Sequence, residues 1–324
     1  MSLPRCAWLL VLAVALAGGE AASLPGARVL VHGPLRIEVM DPAAPDRYNR
    51  GVRFCPLAAV LRATLGGHEF LFAPPEHDPV DDHAGLASEF DLCIPGGPPG
   101  DLPPGWAEAA PGGGFLKIGV GVLEKGGEPY HLFQHPCLLV PAVTTATWTA
   151  DGAGFAQTCA GSDGRAYALA AALRLSDDGL EVAWHLENTG RLPFTTRHYV
   201  HNFLRFDGRD VGPGYVLSFP YPIVASGLAP EQTAEAQAIR FAGRIPRWVN
   251  IEVPWPAGWS GENRLELAHP EAGLAVVCIT SIPGLRTAVH ARPQYVAPEQ
   301  FVALALAPGE ARTWVRSWRF TVTR

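Results

Sequence analysis

The sequence has 324 residues, of which 48% are hydrophobic and 17% charged, and its formal net charge is −6. This hydrophobic fraction can form a buried core, which is not typical of a disordered chain. The acidic balance and the absence of a basic cluster exclude nucleic acid as an expected partner. The 35 glycines and 31 prolines break helices too often for a helical bundle or solenoid, and they favour many short strands joined by turns.

The first 21 residues have the pattern of a secretory signal peptide. Arg5 supplies the positive charge, and Ala7–Ala17 form an apolar run that is too short to span a bilayer. Gly19–Ala21 place small residues at a cleavage site. We therefore predict a secreted or periplasmic protein, with 22–324 forming one domain that does not associate with a membrane. An uncleaved anchor is the alternative.

The cysteines and the histidine pair do not indicate a metal centre. Five cysteines follow the predicted signal, and this odd, scattered set contains no CxxC motif. It therefore predicts neither a disulfide framework nor a zinc site. His131 and His135 have an i, i+4 spacing, but they lack the glutamate of a zinc-protease motif. We expect no metal and no cofactor.

The first half of the mature chain predicts a hairpin, a long loop and a strand. Ala27–His32 and Leu35–Met40 are two apolar runs separated by Gly33 and Pro34, which is typical of an opening hairpin. Residues 73–114 are rich in Gly and Pro, and we expect a long loop over a functional cleft. Phe115–Glu124 then predicts one strand that contains two glycines.

The second half predicts further strands at regular intervals. Leu180–Glu187 alternates apolar and polar residues, and Trp314–Val322 does so at the end of the chain. Ala229–Ile239 is the best candidate for one short helix. Together these patterns predict an all-β protein in which antiparallel strands form two packed sheets.

Two histidines on one predicted strand are the first candidates for chemistry. His198 and His201 differ by three positions, so their side chains should point to opposite faces of that strand. His201 is followed by Asn202, and the strand ends before Gly208. His201 is the candidate catalytic residue, although a single histidine on a strand is more often structural.

The remaining candidates lie on three other segments. Glu299 stands at the start of a predicted strand, where a carboxylate can reach a cleft, although a solvated rim charge is the commoner use. Arg53 can bind two oxygens at once, but it can equally bridge strands. Glu89 falls in the predicted loop, and Lys117 in the predicted strand that follows. Glu310 fits the turn that precedes the last strand.

Several of these segments resemble motifs of the galactose mutarotase-like (aldose 1-epimerase) superfamily. The similar segments are Arg47–Phe54, Asn188–Gly190 with Pro193, His201–Leu204 with Gly208, and Leu306–Glu310 before the final strand. The last of these resembles the family's closing hairpin. The resemblance implies an antiparallel β-supersandwich that acts on a sugar. Because the family's first histidine has no match in Pro111–Lys117, it also implies a divergent branch.

The resemblance also implies roles for particular residues. In such an enzyme a histidine protonates the sugar ring oxygen and a glutamate removes the anomeric hydroxyl proton, which assigns these roles to His201 and Glu299. Lys117 would fill the place of the missing histidine, and Arg53 would bind a sugar hydroxyl. The other residues expected to bind substrate are Glu89, Tyr199, Asn202 and His290.

Two other functions remain open at this stage. Related supersandwich domains occur in lyases. If this protein is a lyase, its catalytic groups would be Lys117, His201, Tyr199 and an arginine, and its substrate a polysaccharide or glycoside. A non-catalytic carbohydrate-binding module is the third possibility, since some of the nine tryptophans can stack on sugar rings. In each case the expected partner is a small sugar or an oligosaccharide.

Overall fold

The described part of the chain consists almost entirely of β-strands. The computed structural model describes residues 22–82, 84–91, 102–127, 130 and 136–323. Within these ranges it contains 22 strands and one 3₁₀ turn, Pro270–Ala272. Every paired strand lies antiparallel to its neighbour, so the predicted all-β class is confirmed.

The strands are numbered in chain order. They are β1 Ala27–His32, β2 Leu35–Met40, β3 Val60–Leu65, β4 His68–Glu69, β5 Leu86–Phe90, β6 Gly114–Lys117, β7 Gly121–Glu124, β8 Leu138–Pro141, β9 Val143–Trp148, β10 Gly152–Ala160, β11 Ala166–Leu175, β12 Gly179–Asn188, β13 Phe194–Asn202, β14 Val216–Ser218, β15 Gln232–Glu235, β16 Ala238–Phe241, β17 Val249–Pro254, β18 Asn263–His269, β19 Leu274–Thr280, β20 Arg286–Arg292, β21 Tyr295–Leu306 and β22 Ala311–Val322. The opening hairpin, β1 and β2, has the predicted bounds.

Two large sheets face each other across one core. The nine-stranded sheet has the order β1-β2-β3-β5-β13-β21-β20-β17, with β4 paired to β3. The ten-stranded sheet has the order β15-β16-β14-β18-β19-β22-β12-β11-β10-β9, and β6, β7 and β8 form a small third sheet. Buried residues of both large sheets belong to one hydrophobic cluster, which is the arrangement of a β-sandwich.

Alternation along β12 shows why the sequence folds into these layers. Leu180, Val182, Trp184 and Leu186 are all at most 3% exposed, whereas Glu181 between them is exposed. A strand that is half buried requires this two-residue period. The predicted core face of this strand is therefore confirmed.

The predicted short helix over Ala229–Ile239 is wrong. β15 and β16 occupy most of this range and pair as a hairpin, with Gln232 opposite Phe241. Ala236 lies between the two strands with φ +46°. Ile239 and Phe241 are buried in the core cluster, and tertiary burial of this kind overrides local helix propensity.

The predicted loop over 73–114 is wrong at its centre. Residues 86–90 form β5, which lies between β3 and β13 and is buried along its whole length. Gly85 makes this possible, because a Cβ at that position would lie 1.9 Å from the carbonyl oxygen of Val60. Residues 92–101 lie outside the described part of the chain, so a loop over the cleft stays a prediction there.

Two other predicted elements also differ from the structure. Phe115–Glu124 is divided between β6 and β7, because Gly119 adopts φ +85° in the turn between them. The turn that ends at Glu310 does not close a hairpin, since β21 and β22 belong to different sheets. Glu310 itself accepts a hydrogen bond from the backbone N–H of Ala307 at 2.9 Å, as expected for a turn residue.

Some sequence predictions fall outside the described residues. These are the signal peptide over 1–21 and the pair His131 and His135. Within the described ranges, no helix has the length and apolarity needed to cross a bilayer. The cysteines described there are free, and they are Cys55, Cys137, Cys159 and Cys278.

The ladder between β13 and β21 is interrupted at its middle. Backbone pairing runs from Phe194 opposite Leu306 to His198 opposite Val302. The two segments pair again only at an isolated bridge between Leu204 and Val296. The register is the same on both sides of the interruption. His201 and Glu299 therefore stand opposite each other at its centre.

Candidate active site

Five polar side chains share the outer face of the nine-stranded sheet. Tyr199 and His201 lie on this face of β13, and Glu89 of β5 is paired with Tyr199. Glu299 of β21 is paired with Ala288 of β20. His290 lies two residues after Ala288 on β20, so its side chain is on the same face. Because side chains alternate along a strand, His198 points to the opposite face and into the core, as predicted. Strand alternation therefore gathers these groups into one cluster.

Glu89 lies at the centre of this cluster and is fully buried. Its Oε2 accepts hydrogen bonds from the Tyr199 hydroxyl and from Arg53 Nε at 2.9 Å. Lys117 Nζ lies 3.4 Å from its other oxygen, Oε1. His201 Nε2 lies 3.1 Å from Oε2. The carboxylate is therefore surrounded by donors.

The charges around Glu89 fix its ionisation. Burial alone would raise the pKa of this carboxyl, but the Arg53 and Lys117 cations and the His201 hydrogen bond outweigh burial and lower the pKa below its usual range. A carboxylate with so low a pKa is a poor proton acceptor. Glu89 is therefore suited to hold the charges of its neighbours, not to accept a proton from a substrate.

His201 and Glu299 form an ion pair in which both partners are slightly exposed. His201 Nδ1 lies 2.7 Å from Glu299 Oε1, and the residues are 6% and 5% exposed. Burial would lower the pKa of His201, but the Glu299 charge and hydrogen bonds to Glu299 and Glu89 raise it above the ordinary 6.5. The carboxylate on each side therefore favours the protonated, positively charged form of the imidazole.

Lys117 lies behind Glu89, away from solvent. Its side chain is 1% exposed, and Nζ donates to the carbonyl oxygens of Phe90 and Asp91 as well as to Glu89. These three acceptors account for the donors of an ammonium group. In this arrangement Lys117 supports Glu89 and does not reach a substrate, so the expected catalytic role has no geometric support.

Asp91 extends the cluster into the core. It is fully buried, its Oδ1 accepts from the Thr196 hydroxyl at 2.6 Å, and its Oδ2 has no hydrogen-bond partner. Burial raises its pKa to about 7, although the Lys117 charge opposes this. The sequence offered no signal for Asp91, because its importance depends on the burial of β5.

Aromatic rings enclose the ion pair. Phe203 is stacked on the His201 ring, and Phe54 meets that ring edge-on with 5.1 Å between centroids. Tyr295 packs against Phe203, and burial raises the pKa of the Tyr295 hydroxyl to about 12. Apolar walls of this kind strengthen the electrostatic interactions inside. Alternation places Phe203 beside His201, but the sequence does not show that Tyr295 reaches them.

Two of the predicted binding residues have different surroundings. His290 lies near the ion pair, with Nδ1 2.6 Å from Asn250 Oδ1, and burial lowers its pKa to about 4. It is therefore a neutral neighbour. Asn202 does not join the cluster: its side chain points into the core, accepts from Trp318 Nε1 at 2.8 Å and donates to the carbonyl of Pro298. The expected binding role of Asn202 is a structural one here.

Arg53 marks the solvent side of the cluster. Its side chain is 15% exposed, and its NH2 group lies 3.4 Å from His201 Nε2. The cluster therefore offers a histidine whose protonated form is favoured, an adjacent carboxylate and a guanidinium at its opening. In the described ranges, no group of three or more His, Cys, Asp or Glu side chains is placed to hold a metal ion.

Comparison of sequences finds no match for this chain, whereas comparison of structures identifies its fold. No family model and no curated protein matches the sequence. The Slr1438 protein from Synechocystis sp. PCC 6803 is similar over 93% of this chain and 97% of its own, with a TM-score of 0.58 and 12% identity.

Two other solved structures carry more informative names. A putative aldose 1-epimerase from Escherichia coli K12 is similar over 92% of this chain and all of its own, with a TM-score of 0.54 and 18% identity. A galactose mutarotase related enzyme from Lactobacillus acidophilus has the same coverage, a TM-score of 0.56 and 11% identity. The chain is therefore a divergent member of the galactose mutarotase-like β-sandwich fold.

Proposed function

We propose that this protein is an exported isomerase of the aldose 1-epimerase type, which interconverts the anomers of a sugar. The observation that carries the proposal is the His201–Glu299 ion pair, with 2.7 Å between Nδ1 and Oε1, on the outer face of the sheet. The ring oxygen and the anomeric hydroxyl of a sugar are bonded to the same carbon and therefore lie close together. An acid and a base that are close together can act on both oxygens at once. The export part rests on the signal-like sequence of residues 1–21.

The chemistry follows from the charges of this pair. The bound sugar replaces the hydrogen bond between the two groups, so that Glu299 accepts the anomeric O–H proton and His201 Nδ1–H donates its proton to the ring oxygen. The bond between the anomeric carbon and the ring oxygen breaks, and the electrons of the former O–H bond form the aldehyde C=O. After rotation of the aldehyde, the reverse transfers close the ring in either configuration. Each cycle restores both protonation states.

The buried groups keep the pair ready for these transfers. Glu89 holds His201 Nε2 at 3.1 Å and stabilises the imidazolium. Because Glu89 has a lowered pKa, it stays ionised when His201 loses or gains its proton. Arg53 remains the candidate to bind a sugar hydroxyl, since its side chain is 15% exposed at the opening of the cluster.

Polarimetry tests this function directly. Freshly dissolved pure anomers of a panel of aldoses and uronic acids should equilibrate faster with the protein, and His201→Ala should abolish the acceleration. His185→Ala is the matched control, because His185 is an exposed histidine of the other sheet, 3.1 Å from the Thr313 hydroxyl. If no sugar of the panel responds, the proposal is wrong.

The same preparations separate the two rival functions. Sugar binding that survives His201→Ala without any turnover would support a carbohydrate-binding module. Ultraviolet absorbance from an unsaturated uronate, released from a polysaccharide, would support a lyase. Tyr199, one of the residues of the lyase hypothesis, is fully buried and donates its hydroxyl hydrogen to Glu89, which gives no support to that reaction.

A further inference from the structure

Arg316 of β22 is a buried cation in the core of the sandwich. It is 2% exposed, and its hydrogen bonds go to neutral groups. Nε donates to His198 Nδ1 at 3.2 Å, and Nη1 donates to the Thr280 hydroxyl at 2.9 Å. A buried charge with no carboxylate against it is costly, so a specific structural reason for an arginine is expected here.

The reason lies in the interrupted ladder of β13 and β21. Nη2 of Arg316 donates to the carbonyl oxygens of His198 and Gln300, both at 3.0 Å. His198 belongs to β13 and Gln300 to β21. A single nitrogen of Arg316 therefore bonds to both strands at the edge of the interruption. His198 is the last residue of β13 that still pairs with β21, whereas Gln300 has no pairing partner on β13. A buried carbonyl without a ladder partner needs another donor, and Arg316 supplies one to Gln300.

A second brace lies two residues farther along β22. Trp318 Nε1 donates to Asn202 of β13, and Asn202 in turn donates to the carbonyl of Pro298 on β21. Both connections approach from the core face of the nine-stranded sheet. On the outer face, the same interruption is spanned by the His201–Glu299 pair.

We propose that Arg316 is a positioning residue, which fixes the separation of β13 and β21 across the interruption and thereby the contact between His201 and Glu299. Gln300 follows Glu299 directly on β21, so a shift of the Gln300 carbonyl moves the Glu299 backbone. The effect on turnover rests on the proposed function, whereas the effect on the ion pair does not.

Guanidinium geometry makes this position specific for arginine. Arg316 presents donors in a rigid fork to four acceptors at once, whereas a lysine has one nitrogen with three donors. Burial lowers the pKa of Arg316 to about 9, which still leaves it charged at neutral pH. Arg316→Lys is therefore the variant of choice, since it keeps a cation but cannot reproduce the bridge.

The test measures the pKa of His201 and then the kinetic constants kcat and KM. In Arg316→Lys we expect the pKa of His201, followed by ¹⁵N NMR, to fall by about 1 unit as Glu299 moves away. We also expect kcat to fall about tenfold with a smaller change in KM, because the acid and base are misplaced. Added guanidinium should partly restore both in Arg316→Ala.

Leu267→Ala is the control for simple loss of stability. Leu267 is fully buried on β18 of the ten-stranded sheet, so its removal lowers the melting temperature without touching the interruption. A folded Arg316→Lys protein with an unchanged His201 pKa would overturn the proposal, as would the same pKa change in Leu267→Ala. If the wild type has no epimerase activity, the pKa measurement still decides the role of Arg316.

Discussion

His201 and His198 lie three residues apart on β13, and the two faces of the strand give them opposite chemistry. His201 lies between two carboxylates, and its pKa is raised. His198 is fully buried, accepts from Trp314 Nε1 and Arg316 Nε, and has a pKa well below the ordinary value because of burial and the Arg316 charge. The outer face therefore favours the protonated form of a histidine, whereas the core face uses a neutral histidine as a hydrogen-bond acceptor.

The protonation state of a buried histidine is therefore set by its partners and not by its residue type. Carboxylates stabilise the imidazolium, and donors such as Trp314 and Arg316 require a lone pair and hence the neutral ring. The same reasoning separates the two glutamates: Glu89 is fixed among cations, whereas Glu299 contacts only one charged neighbour, His201, in the part of the chain that the structure describes. Substitutions at Lys117, Glu299 and Asp91 change one of these environments at a time.

Lys117→Met should have the largest effect, and it should act on stability. It removes the cation behind Glu89 and leaves two backbone carbonyls without their donor. We expect the free energy of unfolding, from urea denaturation, to fall by about 3–5 kcal/mol. Lys125→Met is the control, since Lys125 is the other lysine and packs over the Trp106 ring, and its loss should cost about 1 kcal/mol. Equal losses would contradict the assigned role of Lys117.

Glu299→Gln should instead act on activity. The substitution keeps the size of the side chain but removes the proposed base, so kcat/KM for anomer exchange should fall at least about 100-fold. The melting temperature should change by only a few degrees. Glu181→Gln, at an exposed position on β12, provides the matched control and should keep full activity. A large loss of stability with retained activity would make Glu299 a structural residue.

Asp91→Asn should have a smaller effect, and it should stabilise the protein. The folded-state pKa of about 7 exceeds the ordinary 3.8, so the folded protein binds the proton more tightly and loses stability as pH rises from about 4 to 7. Asn avoids this loss, accepts from Thr196 in the same way and tolerates the φ of +65°.

The size of this effect should depend on pH. We expect a gain of about 1–3 kcal/mol at pH 7 that disappears near pH 4, measured by urea denaturation at both values. The same gain at both pH values would show that the Asp91 charge is not its cause.

Local patterns in the sequence predict those parts of the fold that depend on local contacts. The bounds of β1 and β2, the core face of β12 and the opposite orientation of His198 and His201 all follow from turn residues and from the two-residue period. The structure also brings Arg53, Glu89, Lys117, His201 and Glu299 together, while their roles in turnover stay predictions.

The parts that the sequence missed depend on contacts between distant segments. β5 lies in a region rich in Gly and Pro, and only its pairing with β3 and β13 makes it a central strand. The hairpin of β15 and β16 replaces a helix because Ile239 and Phe241 reach the common core. The interruption between β13 and β21 leaves no local pattern, because it lies between two strands that are far apart in the sequence, and the side chain that contacts both belongs to β22.

One titration tests the comparison of the two faces most directly. In ¹⁵N NMR spectra recorded as a function of pH, the pKa of His201 should lie above the ordinary 6.5, because Glu89 and Glu299 stabilise the charged ring. His198 should stay neutral far below pH 6.5 throughout the folded range. If the pKa of His201 lies below 6.5, or if both rings titrate near 6.5, then the carboxylates of the outer face do not stabilise a protonated His201 and the proposed mechanism fails with it.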